Sequence, residues 1–211
     1  GKICSVISKQ STEKYSITLQ LKLKYQCVSF ARNVSGQKKT IYPIQIGGKM
    51  ISDKLQKAIN EQIKWELYSG YLYLAMAGYF LSENLDGFAN FFFKQEIEER
   101  NHAFKFVHFL NEKGGKLELD TIEKPKNKFN SVENVFEIAY EHEQAVTQRI
   151  HSLLELAIKE NDHSVASFLK WYVDEQVEEE ATMDSILHKV KMIGNNPGAL
   201  LMMDARLGER K

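Results

Sequence analysis

From residue 50 onward the sequence predicts an all-α protein: a four-helix bundle with one long crossover and a short fifth helix. Three observations carry this. Apolar residues recur in alternating steps of three and four from Leu55 to Val190, the spacing of a helix face turned toward a core. Only three prolines occur in 211 residues, so little interrupts those stretches. Turn and cap residues fall at intervals that cut the pattern into segments of bundle length.

The first helix is expected near 52–81, opened by Ser52 and Asp53 as capping residues. The second runs near 87–113 and stops at Gly114-Gly115. A connection over 114–130, containing Pro125, separates it from the third helix. That helix begins after Asn130-Ser131 and continues to about 160, with Glu133 and Glu137 near its positive end. Asn161-Asp162 make a tight turn into the fourth helix, near 163–193. Gly194-Asn195-Asn196-Pro197-Gly198 break the chain before a short helix over roughly 199–208. Short first and third turns give two antiparallel hairpins, and the long middle link can span the bundle, so the topology has one crossover.

Residues 1–49 differ in character. They hold nine Lys or Arg against one acid, Glu13, whereas residues 50–211 hold nineteen against twenty-seven. The two segments cancel to a net charge of zero. Alternation over Ile17, Leu19, Leu21, Leu23 and Tyr25 has the period of a strand, but a lone strand has no sheet to join. We read 1–49 as a basic extension, poorly ordered or not native to the mature protein. A targeting segment is the alternative, since the stretch is basic, acid-poor and rich in Ser and Thr. Met50 reads as a natural start. The acidic main segment favours cations over nucleic acid. No apolar run is long enough to cross a membrane. The two cysteines, Cys4 and Cys27, both precede residue 28, so no disulfide framework is expected, which fits a reducing, cytoplasmic compartment.

The apolar stripes carry polar intruders at mid-helix. The first helix places Glu66 among Leu55, Ile59, Ile63, Tyr73, Ala77 and Phe80; the third places Glu143 among Phe136, Ala139, Val146 and Ile150. The second carries Gln95, Glu99 and His102, and the fourth Gln176 and Glu179. Mid-helix positions of an antiparallel bundle share one layer, so Glu66, Glu99, His102, Glu143, Gln176 and Glu179 should meet. Buried carboxylates in one layer raise each other's pKa unless cations compensate. Two divalent ions do so, with Glu99 placed to bridge them and His102 on the same face at i, i+3. Oxygen-rich ligation with one imidazole suits iron, with Mn and Zn as alternatives. One carboxylate by itself would read as a solvated group, and the run Asp174–Glu180 as an acidic face; agreement across four helices is what argues for a site. Tyr73 and Trp171 read either as packing aromatics or as neighbours of the metals with redox or hydrogen-bonding roles, Trp171 leaning to packing. His108, His142, His151, His163 and His188 read as surface groups or neighbours of the ligands.

Residues 50–211 resemble the bacterial non-haem ferritins along their whole length. The matching segments are Glu61-Gln62 to Trp65-Glu66-Leu67-Tyr68-Ser69, Glu98-Glu99-Arg100-Asn101-His102, His142-Glu143-Gln144 and Trp171 through Glu180. The resemblance implies a ferritin-like bundle and a first ferroxidase iron site at Glu66, Glu99 and His102. It implies a second iron site at Glu99, Glu143 and Glu179, with Gln176 close by. Glu98, Glu175 and Glu178, sharing Glu179, resemble ligands of a third iron site, and Tyr73 the family's tyrosine beside the centre. Implied too are oxidation of Fe(II) by O2 or H2O2, storage of ferric mineral, and a homo-oligomeric cage of twenty-four subunits whose four-fold contacts the fifth helix would line.

A second Glu-x-x-His, as in bacterioferritins and di-iron oxygenases, is missing: Val146 follows Glu143 at +3 and Thr182 follows Glu179. Haem is therefore not expected. No Cys-rich iron domain of the rubrerythrin kind follows residue 27. Two rival functions stand beside ferroxidase storage: a metal-buffering scaffold without useful oxidation, and a di-iron oxidase acting on an organic substrate.

Overall fold

The computed structural model describes residues 51–209, which lie in the second of the chain's two units, Ile46–Lys211. The strand pattern at 17–25, the basic extension and the Met50 start lie outside the described residues. Within them the fold is all-α: α1 (Asp53–Ser82), α2 (Asp86–Glu112), α3 (Val132–Lys159), α4 (His163–Ile193) and α5 (Pro197–Gly208). No helix among the described residues is long and apolar enough to cross a membrane.

Local chemistry sets the ends of these helices. Ser52, Ser131, Asp162 and Asn196 each accept a backbone N–H three residues on, at Leu55, Asn134, Val165 and Ala199, satisfying donors that a helix N-terminus leaves open. The α1–α2 and α3–α4 turns place Asn84 and Asn161 at φ 57° and 54°, a left-handed conformation that Asn tolerates better than most residues. The last helix begins two residues earlier than the sequence predicts. Pro197 does not extend the break; it takes the first-turn position, where a missing N–H costs nothing.

The connection between α2 and α3 runs alongside the bundle. Asn60 of α1 grips it twice, donating to the Lys116 carbonyl and accepting from Glu118 N, both at 2.9 Å; Gln56 accepts from Lys116 N at 2.9 Å. At its far end Phe129 packs against Tyr79, with ring centroids 5.5 Å apart. Gln56 and Tyr79 lie about 35 Å apart at 1.5 Å per helical residue, so the link crosses most of the bundle as the single-crossover topology requires.

Helix α1 packs on α2 and α3, α3 on α4, and α5 on α2. Helices α2 and α4 meet through large rings, Phe106 on Tyr172 at 4.2 Å and Phe109 on Phe168 at 3.9 Å. The core is split. One apolar cluster centres on Phe80, Phe88, Phe92 and Phe136, and the other on Ile59, Ile63, Ile150, Leu169 and Tyr172. Between them, on every long helix, sit the buried polar residues.

Helix α2 has no side-chain cap of its own at Leu85. Asp204 of α5 supplies one, accepting from Phe88 N at 2.9 Å, and Asn90 donates to the last carbonyls of α5. This contact needs Gly87, because a Cβ there would lie 1.7 Å from the Asp204 carbonyl oxygen. Gly87→Ala should therefore dislodge α5 and cost about 1–3 kcal/mol. Chemical denaturation and limited proteolysis of the C-terminal segment check this; wild-type stability with an equally protected α5 would refute it.

Candidate metal centre

The polar layer gathers Glu66 from α1, Gln95, Glu99 and His102 from α2, Glu143 from α3, and Gln176 and Glu179 from α4, all buried. Each sits on the stripe that turns its helix inward. The adjacent apolar turns, Ile63 below and Tyr73 above Glu66 for example, hold it there at 0–1% exposure.

Three of these groups converge. One donor atom each from Glu66, Glu99 and His102 lies within 4.8 Å of the other two. His102 Nδ1 is 3.6 Å from Glu99 Oε2 and 3.9 Å from Glu66 Oε2. These separations are too long for hydrogen bonds. Nor are they ion pairs near neutral pH, because burial first and Lys105 second push His102 down to about 4 and keep the ring neutral. They do suit a shared cation, since two donors each about 2.1 Å from one ion stand at most about 4.2 Å apart. Glu99 Oε2 is buried with no hydrogen-bond partner among the described residues. A carboxylate oxygen so placed, beside a neutral imidazole and near a second carboxylate, suits a divalent cation as its partner.

Neutral donors hold the other carboxylates. Gln62 donates to Glu66 Oε1 at 2.9 Å, Gln95 to Glu179 Oε2 at 2.9 Å, and Gln176 to Glu143 Oε2 at 3.1 Å. The Tyr73 hydroxyl donates to Glu143 Oε1. Tyr172 donates to the His102 backbone carbonyl at 2.7 Å, fixing that turn of α2. Without a compensating positive charge the acids are pushed toward their neutral forms. Burial raises Glu66 from 4.5 to about 7, against the hydrogen bonds from Gln62 and Glu99. Burial and then the Glu179 charge raise Glu143 to about 8, against the bonds from Tyr73 and Gln176. Glu99 goes well above its ordinary range through burial and the charges of Glu143 and Glu66. Burial and the charges of Glu143, Glu99 and Glu179 push the Tyr73 phenol up, keeping it protonated. The donor set of the layer fits divalent cations, whose charge would replace that of the protons the acids otherwise keep.

Glu98, Glu175 and Glu178 do not enter this layer. They lie on the α2/α4 side, Glu98 and Glu175 half-buried and Glu178 exposed. Burial, Glu178 and Glu98 raise the Glu175 carboxyl, and Lys105 opposes them. Lys105 Nζ stands 2.8 Å from the Trp171 ring centroid, and the Trp171 edge meets the His102 ring at 5.3 Å. Trp171 is 37% exposed, so it borders the site from outside and is not a core packing residue.

Some participants escape sequence reasoning. Gln62 and Gln95 clamp two of the carboxylates, yet an amide on a helix stripe carries no signal of that role. His142 shares a 2.8 Å hydrogen bond with Ser69 Oγ and lies edge-on to Tyr73, and burial and Arg149 lower it to about 4. It stands one residue off the α3 stripe, so periodicity does not mark it.

Comparison with known proteins agrees with this geometry. A family model described as "Ferritin-like domain" matches residues 56–193. A bacterial non-heme ferritin of Campylobacter jejuni is 41% identical over 155 residues, covering 74% of this chain and 93% of that protein. Its counterpart in Staphylococcus epidermidis is 40% identical over 161 residues, covering 76% and 97%. Among solved structures, an open pore ferritin from the hyperthermophilic archaeon Archaeoglobus fulgidus superposes with a TM-score of 0.76 at 46% identity, covering 76% of this chain and 99% of that one. A closed form of the same ferritin, engineered by site-directed mutagenesis, gives the same TM-score and identity. The matches span nearly the whole of the relatives and the helices that carry the buried carboxylates, and the chain belongs to the ferritin family.

Proposed function

We propose that this chain stores iron and oxidises Fe(II) at the buried layer, a ferroxidase that supplies its own mineral. The observation that supports this most is Glu99 Oε2, buried without a hydrogen-bond partner among the described residues and close to His102, where a cation would satisfy it. Glu66 and His102 would hold one Fe(II), Glu143 and Glu179 a second, and Glu99 would face both, with Gln176 beside the second. Neutral His102 offers a lone pair with no proton to displace above about pH 4. The carboxyls give up their protons as the ions arrive.

Two Fe(II) yield one electron each to O2, which takes up two protons and leaves as H2O2; with H2O2 as oxidant, two waters form. The hydroxyl of Tyr73 stays protonated and donates to Glu143, holding that carboxylate toward the second iron. Glu98, Glu175 and Glu178 would form a third iron position on the α2/α4 side and carry ferric iron away. Hydrolysis of Fe(III) releases protons and builds oxyhydroxide inside a homo-oligomeric shell, expected to hold twenty-four copies. We place the protein in the cytoplasm, with residues 1–49 as an extension outside the ferritin domain and no haem.

Aerobic addition of Fe(II), followed by ferric absorbance and native mass, tests the proposal. Ferric colour forming well ahead of the protein-free rate, in a particle of many subunits that retains the iron, is the expected result. Iron binding without accelerated oxidation would instead support a buffering scaffold.

A further inference from the structure

A cleft of about 410 Å³ opens between α1 and α3, lined by Ala58, Gln62, Gln148, Arg149, Ser152 and Leu153. Its inner wall is Gln62, only 3% exposed, whose amide nitrogen is 2.9 Å from Glu66 Oε1. Gln62 thus lines the cleft and touches Glu66, one of the three converging ligands. Gln62 carries no charge of its own, so moving it aside breaks one hydrogen bond from a neutral donor, that to Glu66 Oε1.

The rim of this cleft does not suit cations. The Arg149 guanidinium lies 3.6 Å from the Trp65 ring centroid, held there as a fixed positive charge. The one acid lining the cleft, Glu61, is already engaged by Lys64 at 2.9 Å and by the Trp65 indole N–H at 3.1 Å. The opposite side of the bundle is acidic, with Glu98, Glu175 and Glu178 against Lys105. Fixed charges of opposite sign on two sides of one buried site sort charged from uncharged reactants.

We propose that the α1/α3 cleft is the door for the small neutral oxidant, O2 or H2O2, with Gln62 as its gate, while iron uses a different face. The proposal rests on the ferroxidase reading above. It gives Gln62 two tasks, holding Glu66 in the iron-free state and moving aside for the entering oxidant.

The test plugs the cleft from its outer edge, leaving the ligands alone. Ser152 is exposed, and its hydroxyl bonds only the Gln148 carbonyl. Ser152→Trp and Gln148→Trp are prepared in the full chain, with Ser152→Leu as a smaller plug in case the indoles disturb folding. Anaerobic Fe(II) binding is measured by titration. Nitric oxide, a neutral diatomic that binds Fe(II), then reports access by stopped flow, alongside O2-dependent oxidation. We expect unchanged Fe(II) binding with nitric oxide association and O2 reaction each slowed about tenfold. Folded plugged variants reacting with nitric oxide at the wild-type rate would overturn the proposal. Wild-type protein that binds Fe(II) and nitric oxide yet never oxidises iron would sink the ferroxidase reading instead, and the nitric oxide rates would still decide the role of the cleft.

Discussion

Glu99→Gln should nearly abolish Fe(II) oxidation and at the same time leave the metal-free protein more stable than wild type at pH 8. The two effects have one cause. Glu99 is buried at 2% exposure among Glu66, Glu143 and Glu179, one of its oxygens has no partner, and its carboxyl is pushed well above the ordinary range. Near pH 8 the metal-free fold must therefore hold a proton there or accept an uncompensated negative charge. A glutamine of nearly the same shape carries no charge, and its amide hydrogens can bond the neighbouring carboxylates. The gain should be about 1–2 kcal/mol. The loss is functional, because Glu99 is the carboxylate facing both proposed iron positions. Oxidation should fall about a hundredfold or more, equivalent to about 3 kcal/mol of transition-state stabilisation. Denaturant unfolding at pH 8 and initial oxidation rates give both numbers. A destabilised variant that still oxidised iron at the wild-type rate would contradict the assignment on both counts.

The second large effect is on pH dependence. For Glu66 and Glu143 the folded pKa, about 7 and about 8, exceeds the ordinary value of 4.5. The folded state then keeps protons that the unfolded chain releases, so stability falls as pH rises from the unfolded toward the folded value. His102 and His142 act in the opposite sense. Their folded values, about 4, lie below 6.5, so they lower stability as pH falls from 6.5 toward 4. The two trends oppose each other between about 4.5 and 6.5. Above 6.5 the carboxylates act alone, each proton contributing about 1.4 kcal/mol per pH unit. Metal-free protein should accordingly lose thermal stability between pH 6.5 and 8. Added divalent metal should restore it with release of protons, most per ion at the lower end of that window. Scanning calorimetry across pH, with titration calorimetry in two buffers of different ionisation enthalpy, measures both. Flat stability across the window and metal binding without proton release would contradict the electrostatic account.

The sequence reveals much of this arrangement because the helices are long and their stripes strict. Glu66, Glu99, Glu143 and Glu179 stand out on stripes that are otherwise mainly apolar, and the bundle brings their helices together at that height. Ser52, Asp162 and Ser131 mark helix starts through a local rule that needs no tertiary information. What stays hidden is non-local. Nothing within a few residues of Gly87 announces that Asp204 will cap α2, and nothing near Asn60 announces that it will grip the crossover at Lys116 and Glu118. Pro197 is ambiguous in sequence, since the residue that breaks a helix interior also starts one. Gln62 and Gln95 are hidden for a chemical reason: their role lies in being neutral donors to buried acids, and that is visible only once the acids are in place. The Lys105 ammonium that covers Trp171 is non-local too, since a tryptophan one turn from Glu175 looks alike in sequence whether a cation covers it or not.

On the proposed reading, four helices bring their carboxylates together to bind a pair of iron ions. Anaerobic Fe(II) titration of the full chain, read by calorimetry and Mössbauer spectroscopy, tests it most directly in wild type, Glu143→Ala and Glu99→Ala. Wild type should bind two Fe(II) per chain tightly in distinct environments, Glu143→Ala should keep the one held by Glu66 and His102, and Glu99→Ala should lose the paired signature. Wild-type binding that none of these substitutions alters would place the iron elsewhere on the protein and contradict the account.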